Sequence, residues 1–217
     1  MKKISFLATV AMLTVSSSVF AQDIDFGVKA GLNISNFSAK YGGNKNNDLK
    51  SKIGISLGAF ADYNLSDMFA VEAGLQFDQI GSKYEWSEDD ESDKVTTNVN
   101  YLTIPINFRA NLPVGDNKLY FLAGPTIGLA LSGKEKSEYT EDGKTTKDDN
   151  ALKFGSGDED NMKRMNLGFL LGAGFEMTNN LGFRLTYDIG LSNLEPKGDS
   201  DNSLKTGCLG LSVTYKF

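Results

Sequence analysis

The sequence predicts an all-β fold, an eight-stranded antiparallel up-and-down transmembrane barrel, with short turns at one end and long loops at the other. Three observations lead to this prediction. Apolar residues alternate with small or polar residues in eight separate runs, which is the pattern of strands that bury one face. The connections between the runs alternate between long and short. Glycines and charged residues fall on the face opposite the apolar one.

The N-terminus has the pattern of a secretory signal peptide. Lys2 and Lys3 precede a mostly apolar run over 4–15, and Val19 and Ala21 occupy the small-residue positions before a cleavage site. The apolar run is too short to cross a bilayer and remain there. We therefore expect residues 1–21 to be removed and residues 22–217 to form a single barrel domain.

Eight alternating runs follow the leader and define the expected strands. We expect strands of about 10–14 residues, which exceed the ~5–6 residues usual in soluble sheets and suit a tilted bilayer crossing. Their apolar faces span Ile24 to Ile34, Ile53 to Tyr63, Phe69 to Phe77, Leu102 to Phe108, Leu119 to Leu131, Met165 to Phe175, Leu181 to Leu191 and Leu209 to Phe217.

The connections predict how the barrel is oriented. Outer-membrane barrels keep short turns in the periplasm and long loops outside the cell, so both termini are expected in the periplasm. Three connections are short, at 66–68, 113–117 and 178–180. Four are long and polar, at 38–52, 84–97, 132–163 and 193–205.

Glycine decides which face of the sheet points inward. Alternation alone also fits a soluble eight-stranded barrel that encloses an apolar cavity. The interior of an eight-stranded barrel is only wide enough for side chains to fill, so the glycine-rich face belongs inside and the large apolar face belongs against lipid. Aromatic residues near the strand ends, with Tyr84, Trp86 and Tyr101 at the extracellular end, are expected to form interfacial girdles.

Two prolines interrupt the strand pattern. Pro105 and Pro125 lie in the middle of the fourth and fifth runs. Proline lacks the backbone N–H that a strand ladder needs, and it is normally confined to edges and bulges. Because a closed barrel has no edge, we expect a bulge at each proline.

Several segments resemble a known family. They are VKAGLNISNF (28–37), YLTIPINFRANL (101–112), LAGPTIGLALSG (122–133), LGFLLGAGFEM (167–177) and the terminal Phe217. Together they are similar to the small outer-membrane β-barrels of Bacteroidota, the PorT-like group. The resemblance implies a barrel in the bacterial outer membrane and supplies no site residues. A few members are tied to protein secretion or surface attachment.

The C-terminal strand carries a second resemblance. The segment LGLSVTYKF (209–217) alternates strictly and ends in an aromatic residue. A final strand closed by phenylalanine resembles the recognition signal of bacterial outer-membrane barrels. The resemblance implies the barrel assembly machinery as a partner that recognises the strand ending in Phe217.

Composition argues against several kinds of chemistry. The chain contains no histidine, the residue that most often performs acid–base catalysis near neutral pH. Its formal net charge of −6 argues against a nucleic-acid partner. The single Cys208 cannot form an internal disulfide. We therefore expect no catalytic, cofactor-binding or metal-binding residues and no enzymatic activity.

Charged residues on the lumen face form the candidate site. Asp62, Glu72, Arg109, Glu176 and Arg184 all lie near the expected short turns. Charges buried in a narrow lumen must be paired, so we expect a structural ion network that plugs the barrel. The alternative is a gate whose rearrangement opens a narrow channel.

The long connections provide the other candidate surface. The second is acidic, with Glu85, Glu88, Asp89, Asp90, Glu91 and Asp93, and the third contains Asp158, Glu159 and Asp160. Runs of like charge are usually solvated, and the alternative is bridging by divalent cations to lipopolysaccharide or to a partner.

A structural or surface-interaction protein of the outer membrane is therefore expected. A narrow or gated pore, or a component of a secretion or attachment machine, is the alternative. The expected partners are outer-membrane lipid, lipopolysaccharide and an unidentified surface or periplasmic protein.

Overall fold

The computed structural model of the chain describes residues 24–46, 48–88, 91–141 and 144–217. The expected signal peptide at 1–21 and the acidic residues Asp89 and Asp90 lie outside these ranges. Within them, no helix is long and apolar enough to cross a membrane. The strands are β1 (Ile24–Tyr41), β2 (Asn44–Asn46), β3 (Leu49–Asn64), β4 (Phe69–Glu88), β5 (Glu91–Val114), β6 (Asn117–Glu141), β7 (Lys144–Ala151), β8 (Met165–Glu176), β9 (Leu181–Gly190) and β10 (Ser203–Lys216).

Eight of these strands form a closed antiparallel ring. Its order is β1, β3, β4, β5, β6, β8, β9 and β10, and β10 pairs with β1 to complete it. The closing ladder is continuous from Gly27 opposite Lys216 to Lys40 opposite Ser203. The predicted eight-stranded up-and-down barrel is confirmed. The short turns, Ile24 and Phe217 lie at one end, which we call the periplasmic end, and the long connections lie at the extracellular end.

The two faces of the sheet have the predicted polarity. Large apolar side chains on the outer face are exposed around the whole ring, among them Leu57, Leu75 and Leu211. The inner face is buried and largely polar, and it includes Asp62, Asn107 and Arg109. This reverses the arrangement of a soluble protein, and it fits a barrel whose outer surface meets hydrocarbon.

Several strands extend far beyond the expected bilayer crossing. β5 has 24 residues and β6 has 25, whereas a crossing needs about 9–11. The second long connection, expected as a loop over 84–97, is mostly the continuing β4–β5 ladder, which pairs as far as Glu88 and Glu91. The third includes β7, which pairs with the upper part of β6. Above the membrane both faces of a hairpin meet water, so the alternation that marks a strand in the sequence disappears.

The expectation of a bulge at each proline is wrong. Pro105 pairs with Thr126, and Pro125 pairs with Phe169, without a shift of register. The Pro105 ring lies close to Gly74, where an added Cβ would be 3.2 Å from the proline Cγ. Glycine thus provides room for the ring, and the register is the same on both sides of it, with Ala73 opposite Ile106 and Gln76 opposite Thr103. Register shifts of one residue occur elsewhere, between Ser51 and Ser56 and between Asn100 and Tyr101.

Only part of the predicted aromatic pattern has the expected position. Phe26, Tyr63, Phe69, Phe108, Phe121 and Phe183 are exposed on the outer face near the periplasmic end. At the extracellular end, Tyr101 is instead completely buried inside the barrel. Tyr101 precedes the outward-facing Leu102 in β5, so alternation directs its ring inward.

Aromatic side chains and glycines fill the lumen together. Phe60 pairs with Gly27 and Tyr120 pairs with Gly174. A Cβ added at either glycine would meet the ring opposite it. These two positions need glycine because each one leaves space for a large ring in an interior that is otherwise too narrow.

The outward orientation predicts a cost for a charge on the lipid face. Leu57 lies on the outer face of β3 between Ile53 and Tyr63 and is 51% exposed. We expect Leu57→Arg to lower the free energy of unfolding in lipid vesicles by about 2–4 kcal/mol, because arginine is poorly solvated near the bilayer midplane. Reversible urea unfolding, followed by fluorescence, measures this change.

Thr146→Arg provides the matched control. Thr146 is exposed in β7 above the membrane, and a surface substitution there should change stability by less than about 0.5 kcal/mol. Equal, small effects of the two substitutions would contradict the lipid-facing assignment of Leu57.

Candidate functional site in the barrel lumen

Charged side chains meet at the periplasmic end of the lumen, and all five predicted residues are among them. Asp62 comes from β3, Glu72 from β4, Arg109 from β5, Glu176 from β8 and Arg184 from β9. Alternation directs each side chain inward, and its closeness to a turn places it at the same end. Four of the five are buried almost completely, and Glu176 is partly buried. We call this group, with Lys216 and Tyr120 described below, the lumen ion network.

Arg109 occupies the centre of the lumen ion network. Its Nη1 donates to Asp62 Oδ2 at 2.9 Å and its Nη2 donates to Glu176 Oε2 at 2.6 Å. Its Nε donates to Asn111 Oδ1 at 2.8 Å. The guanidinium also lies 3.8 Å from the centroid of the Tyr120 ring. One side chain therefore connects strands on several sides of the barrel.

Arg184 and Glu72 form a bidentate pair across the lumen. Arg184 Nη1 and Nη2 donate to Glu72 Oε1 and Oε2 at 2.8 and 2.6 Å. Their strands β9 and β4 lie on opposite sides of the ring, so the pair spans the interior. Two parallel charge-assisted hydrogen bonds are the strongest arrangement for arginine and a carboxylate. Glu176 pairs with Gly182 and therefore lies diagonal to Arg184, but its nearest ion-pair partners are Arg109 and Lys216.

Two members of the lumen ion network, Lys216 and Tyr120, were not among the residues predicted for it. Lys216 Nζ lies 2.7 Å from Asp62 Oδ2 and 3.0 Å from Glu176 Oε2. Tyr120 accepts a hydrogen bond through its hydroxyl oxygen from Arg184 Nε at 3.1 Å. The inward position of Lys216 was visible in the alternation of the last strand. Nothing in the pattern around Tyr120 distinguished it from a residue that only fills space.

The lumen ion network balances its own charge. Asp62 and Glu72 pair directly between β3 and β4, and two carboxylates facing each other would repel. Arg109 lies between them, with Nη1 at 2.9 Å from Asp62 and 3.8 Å from Glu72. The three acids are thus matched by Arg109, Arg184 and Lys216. Such balance is what allows charges to remain ionised in a buried interior.

A polar layer with a small cavity lies above the ion network. Asp78 accepts hydrogen bonds from Asn33 Nδ2 at 3.1 Å, Ser56 Oγ at 2.7 Å and Gln76 Nε2 at 2.6 Å. The cavity measures about 40 Å³ and is also lined by Lys29 and other polar residues. Room of that size holds on the order of three water molecules.

An apolar cluster closes the lumen at the extracellular end. Its buried members come from β1, β4, β5 and β6 and from the third and fourth connections; they are Phe37, Ile80, Val99, Tyr101, Ala130, Met162 and Leu194. The Tyr101 hydroxyl donates a hydrogen bond to Met162 Sδ at 3.5 Å. We call this layer, which was not predicted from the sequence, the apolar roof. Large apolar residues on the otherwise polar inner face, such as Phe37, were the signal in the sequence that could have predicted this layer.

Several acidic residues of the long connections form ion pairs with lysines. Glu85 lies 3.1 Å from Lys50, Glu138 lies 2.9 Å from Lys147, and Asp158 pairs with Lys197. The hydrogen bond from Lys50 lowers the pKa of Glu85. In the described ranges, no group of three or more His, Cys, Asp or Glu residues is placed to hold a metal ion.

The central position of Arg109 predicts a large effect of its removal. We expect Arg109→Ala to lower the free energy of unfolding by about 3–5 kcal/mol, because it removes the central charge partner of the buried carboxylates of β3, β4 and β8. Two cations, Arg184 and Lys216, would then face three acids. Urea unfolding of protein refolded in vesicles measures the change.

Lys118→Ala is the matched control for this prediction. Lys118 lies 3.9 Å from Glu176 but is 53% exposed, so we expect a loss below about 1 kcal/mol. If Arg109→Ala cost no more than Lys118→Ala, the network would not be a major source of stability.

Comparisons with known proteins agree with a membrane barrel. A family model described as "Outer membrane protein beta-barrel domain" matches residues 20–195. A comparison with curated protein sequences found no match. Similar solved structures include Ail, the attachment invasion locus protein of Yersinia pestis (16% identity, 90% of this chain, 100% of that chain, TM-score 0.42). Another is Neisserial surface protein A (15% identity, 88% of this chain, 97% of that chain, TM-score 0.43). A third is OprG of Pseudomonas aeruginosa (15% identity, 89% of this chain, 95% of that chain, TM-score 0.46).

These structural similarities are distant, and the fold assignment depends on the closed strand pairing described above. The family match covers most of the chain. It agrees with the apolar outer face, the filled polar lumen and the ring of eight strands. The chain belongs to the family of outer-membrane β-barrel proteins, and it is a protein of the bacterial outer membrane.

Proposed function

We propose that this protein acts at the cell surface as a closed barrel that holds extended β-hairpins above the outer membrane, and that it is neither an enzyme nor a solute channel. The observation that carries the proposal is the double closure of the lumen, by the ion network at the periplasmic end and by the apolar roof at the extracellular end. A narrow or gated pore is the alternative.

The two closures differ in chemistry, so one event does not open both. A solute that entered from the periplasm would have to separate Arg184 from Glu72, and breaking a buried pair costs about 3–5 kcal/mol. It would then meet Val99, Tyr101 and other packed apolar side chains. The cavity between the two layers has room for only a few waters.

The extended hairpins are the part of the molecule that is available to a partner. The ladder between β5 and β6 continues to Ser92 opposite Thr140, far above the bilayer. β7 is exposed along its whole length and, within the described ranges, pairs only with β6. Its sequence KTTKDDNA contains lysines and aspartates, which protect an edge strand from unspecific pairing. A regular sheet edge of this kind supports a role in surface interaction.

The proposal also includes the finer resemblance to the PorT-like group of Bacteroidota. Two of the segments that carry the resemblance, YLTIP (101–105) and AGP (123–125), lie on the paired strands β5 and β6. Each segment ends in one of the two prolines that stay in register. This supports a local arrangement shared with the PorT-like group rather than a chance match. A role in a secretion or attachment machine would follow from this resemblance.

Export and assembly belong to the same proposal. The leader at 1–21 would be cleaved, and the barrel assembly machinery would recognise the strand that ends in Phe217. Phe217 is 76% exposed, and its N–H donates to the Phe26 carbonyl at 2.9 Å at the seam between β10 and β1. Its accessible ring supports such recognition. Lipopolysaccharide and lipid would contact the outer face, and no nucleic acid would be bound.

The closed lumen predicts electrical silence in planar bilayers. We expect no stable conductance steps from the wild-type protein, and none from Arg109→Ala, because the apolar roof remains in place. Single-channel recording measures this, and a porin added at the end verifies that the bilayer reports insertion. Stable openings of the wild type that Arg109→Ala alters would instead favour the gated pore.

The surface role predicts that partners depend on the β6–β7 hairpin. Ser137 and Asp148 are register partners, so residues 138–147 can be replaced by Asn-Gly, which favours a tight hairpin turn. We expect cross-linked outer membranes to yield a defined set of proteins with the full chain and to lose it with the shortened one.

Folding of the shortened chain is checked by its heat-modifiable mobility on gels. An identical set from both chains, or no defined set from either, would contradict a role for the hairpin. The second result would favour a purely structural barrel.

A further inference from the structure

A cavity of about 360 Å³ lies at the extracellular end of the barrel. Its walls come from the upper parts of β1 to β6, and the third and fourth connections complete them. We call it the extracellular vestibule. Its volume falls within the ~300–1,000 Å³ range of small-molecule sites in proteins. It is separate from the lumen ion network, because the apolar roof lies between the two.

One side of the vestibule is apolar. Phe37 and Met162, which belong to the apolar roof, line it together with Leu49, Leu152 and Leu204. Because the packed roof continues below these residues, the vestibule is a closed cup and not the mouth of a channel. An apolar surface in a cup open to water is a place for the apolar part of a ligand.

The rest of the lining is aromatic and acidic. Tyr84 pairs with Val95, and one step below them Thr97 pairs with Glu135. Tyr41 and Glu195 line the same cavity. Burial raises the pKa of the Tyr41 hydroxyl, and the nearby charge of Glu195 adds to this effect. No lysine or arginine is among the residues of the described chain that line the vestibule.

The two vestibule carboxylates differ from the acids on the outer face of the same sheet. Glu85 and Glu138 each form an ion pair with a lysine. Glu135 accepts only a long hydrogen bond, from Thr97 Oγ1 at 3.5 Å. Within the described ranges, no ion pair involves Glu135 or Glu195, which leaves two negative charges in a cup that contains no cation.

We propose that the extracellular vestibule binds a small organic cation, an amine or quaternary ammonium compound that carries an apolar group. The apolar group packs on Phe37, Leu49 and Met162. The cationic group faces Glu135 and Glu195, and the faces of Tyr41 and Tyr84 add cation–π attraction. The absence of a lining cation disfavours an anionic ligand, and the apolar surface favours an organic cation over a bare metal ion. The inference goes beyond the proposed surface role, and it does not depend on the β6–β7 hairpin tip.

Benzyltrimethylammonium is a suitable probe, because it combines a quaternary ammonium group with one apolar ring. We expect saturable binding to the refolded full barrel in neutral detergent, with a dissociation constant of about millimolar for a ligand of this size. Titration calorimetry measures it. The single Trp86, which lies two residues beyond Tyr84 on the same face of β4, gives an independent fluorescence signal. Benzyl alcohol and phenylacetate, without the positive charge, are expected to bind at least tenfold more weakly.

Glu135→Gln and Glu195→Gln test the two carboxylates. We expect each to weaken binding of the probe by about three- to tenfold, since each removes a charge partner and retains the shape of the side chain. Glu85→Gln is the matched control, with the same charge change on the outer face, and it should leave binding unchanged. Heat-modifiable mobility verifies that every variant is folded.

Three results would overturn the proposal. They are the absence of saturable binding, equal binding of benzyl alcohol and the probe, and equal weakening by Glu85→Gln and the vestibule variants. A fourth result is that calcium binds, that Glu135→Gln and Glu195→Gln abolish this binding, and that the probe does not bind. The vestibule would then be a divalent-cation site and not an organic-cation site. Conductance recordings are not affected by these results, so failure here is distinguishable from failure of the closed-lumen proposal.

Discussion

The seam between β10 and β1 is the constraint on which the rest of the structure depends. Hydrocarbon contains no water to satisfy backbone N–H and C=O groups, so a sheet can cross a bilayer only when it has no free edge. The ladder from Gly27 opposite Lys216 to Lys40 opposite Ser203 removes that edge. Closure with eight strands also fixes a narrow lumen. The narrow lumen then requires glycines opposite Phe60 and Tyr120, and it brings charges of opposite strands into contact.

The contents of the lumen follow from this narrowness. Side chains from β4 and β9, on opposite sides of the ring, are close enough for Glu72 and Arg184 to form two hydrogen bonds. In a wider barrel the same two side chains would face a water-filled channel and would not contact each other. The charged layer, the small polar cavity and the apolar roof follow one another along the axis, and each fills the interior with a different chemistry. Above them the vestibule opens to the outside.

The sequence contained enough information for the fold and for five members of the lumen ion network, but not for Lys216 and Tyr120. Alternation predicted the faces of residues such as Leu57 and Arg109, and closeness to the turns predicted that the network would gather at one end. The sequence did not show which charged residues pair with each other, because pairs such as Glu72 and Arg184 depend on the stagger of the strands in the closed ring. The upper hairpins were not predicted, because strands that are exposed to water on both faces show no alternation of apolar and polar residues. The apolar roof was missed because Phe37 looked like an isolated exception on a polar face and Tyr101 was assigned to the interfacial girdle.

The composition of the apolar roof has a consequence for biogenesis. Phe37 belongs to β1, Tyr101 to β5, and Leu194 to the connection before β10, so the roof draws on residues from nearly the whole length of the chain. It is complete only when the first and last strands have met. Sealing of the lumen at its outer end therefore depends on contacts between segments that are far apart in the sequence, and these contacts require the ring to be closed.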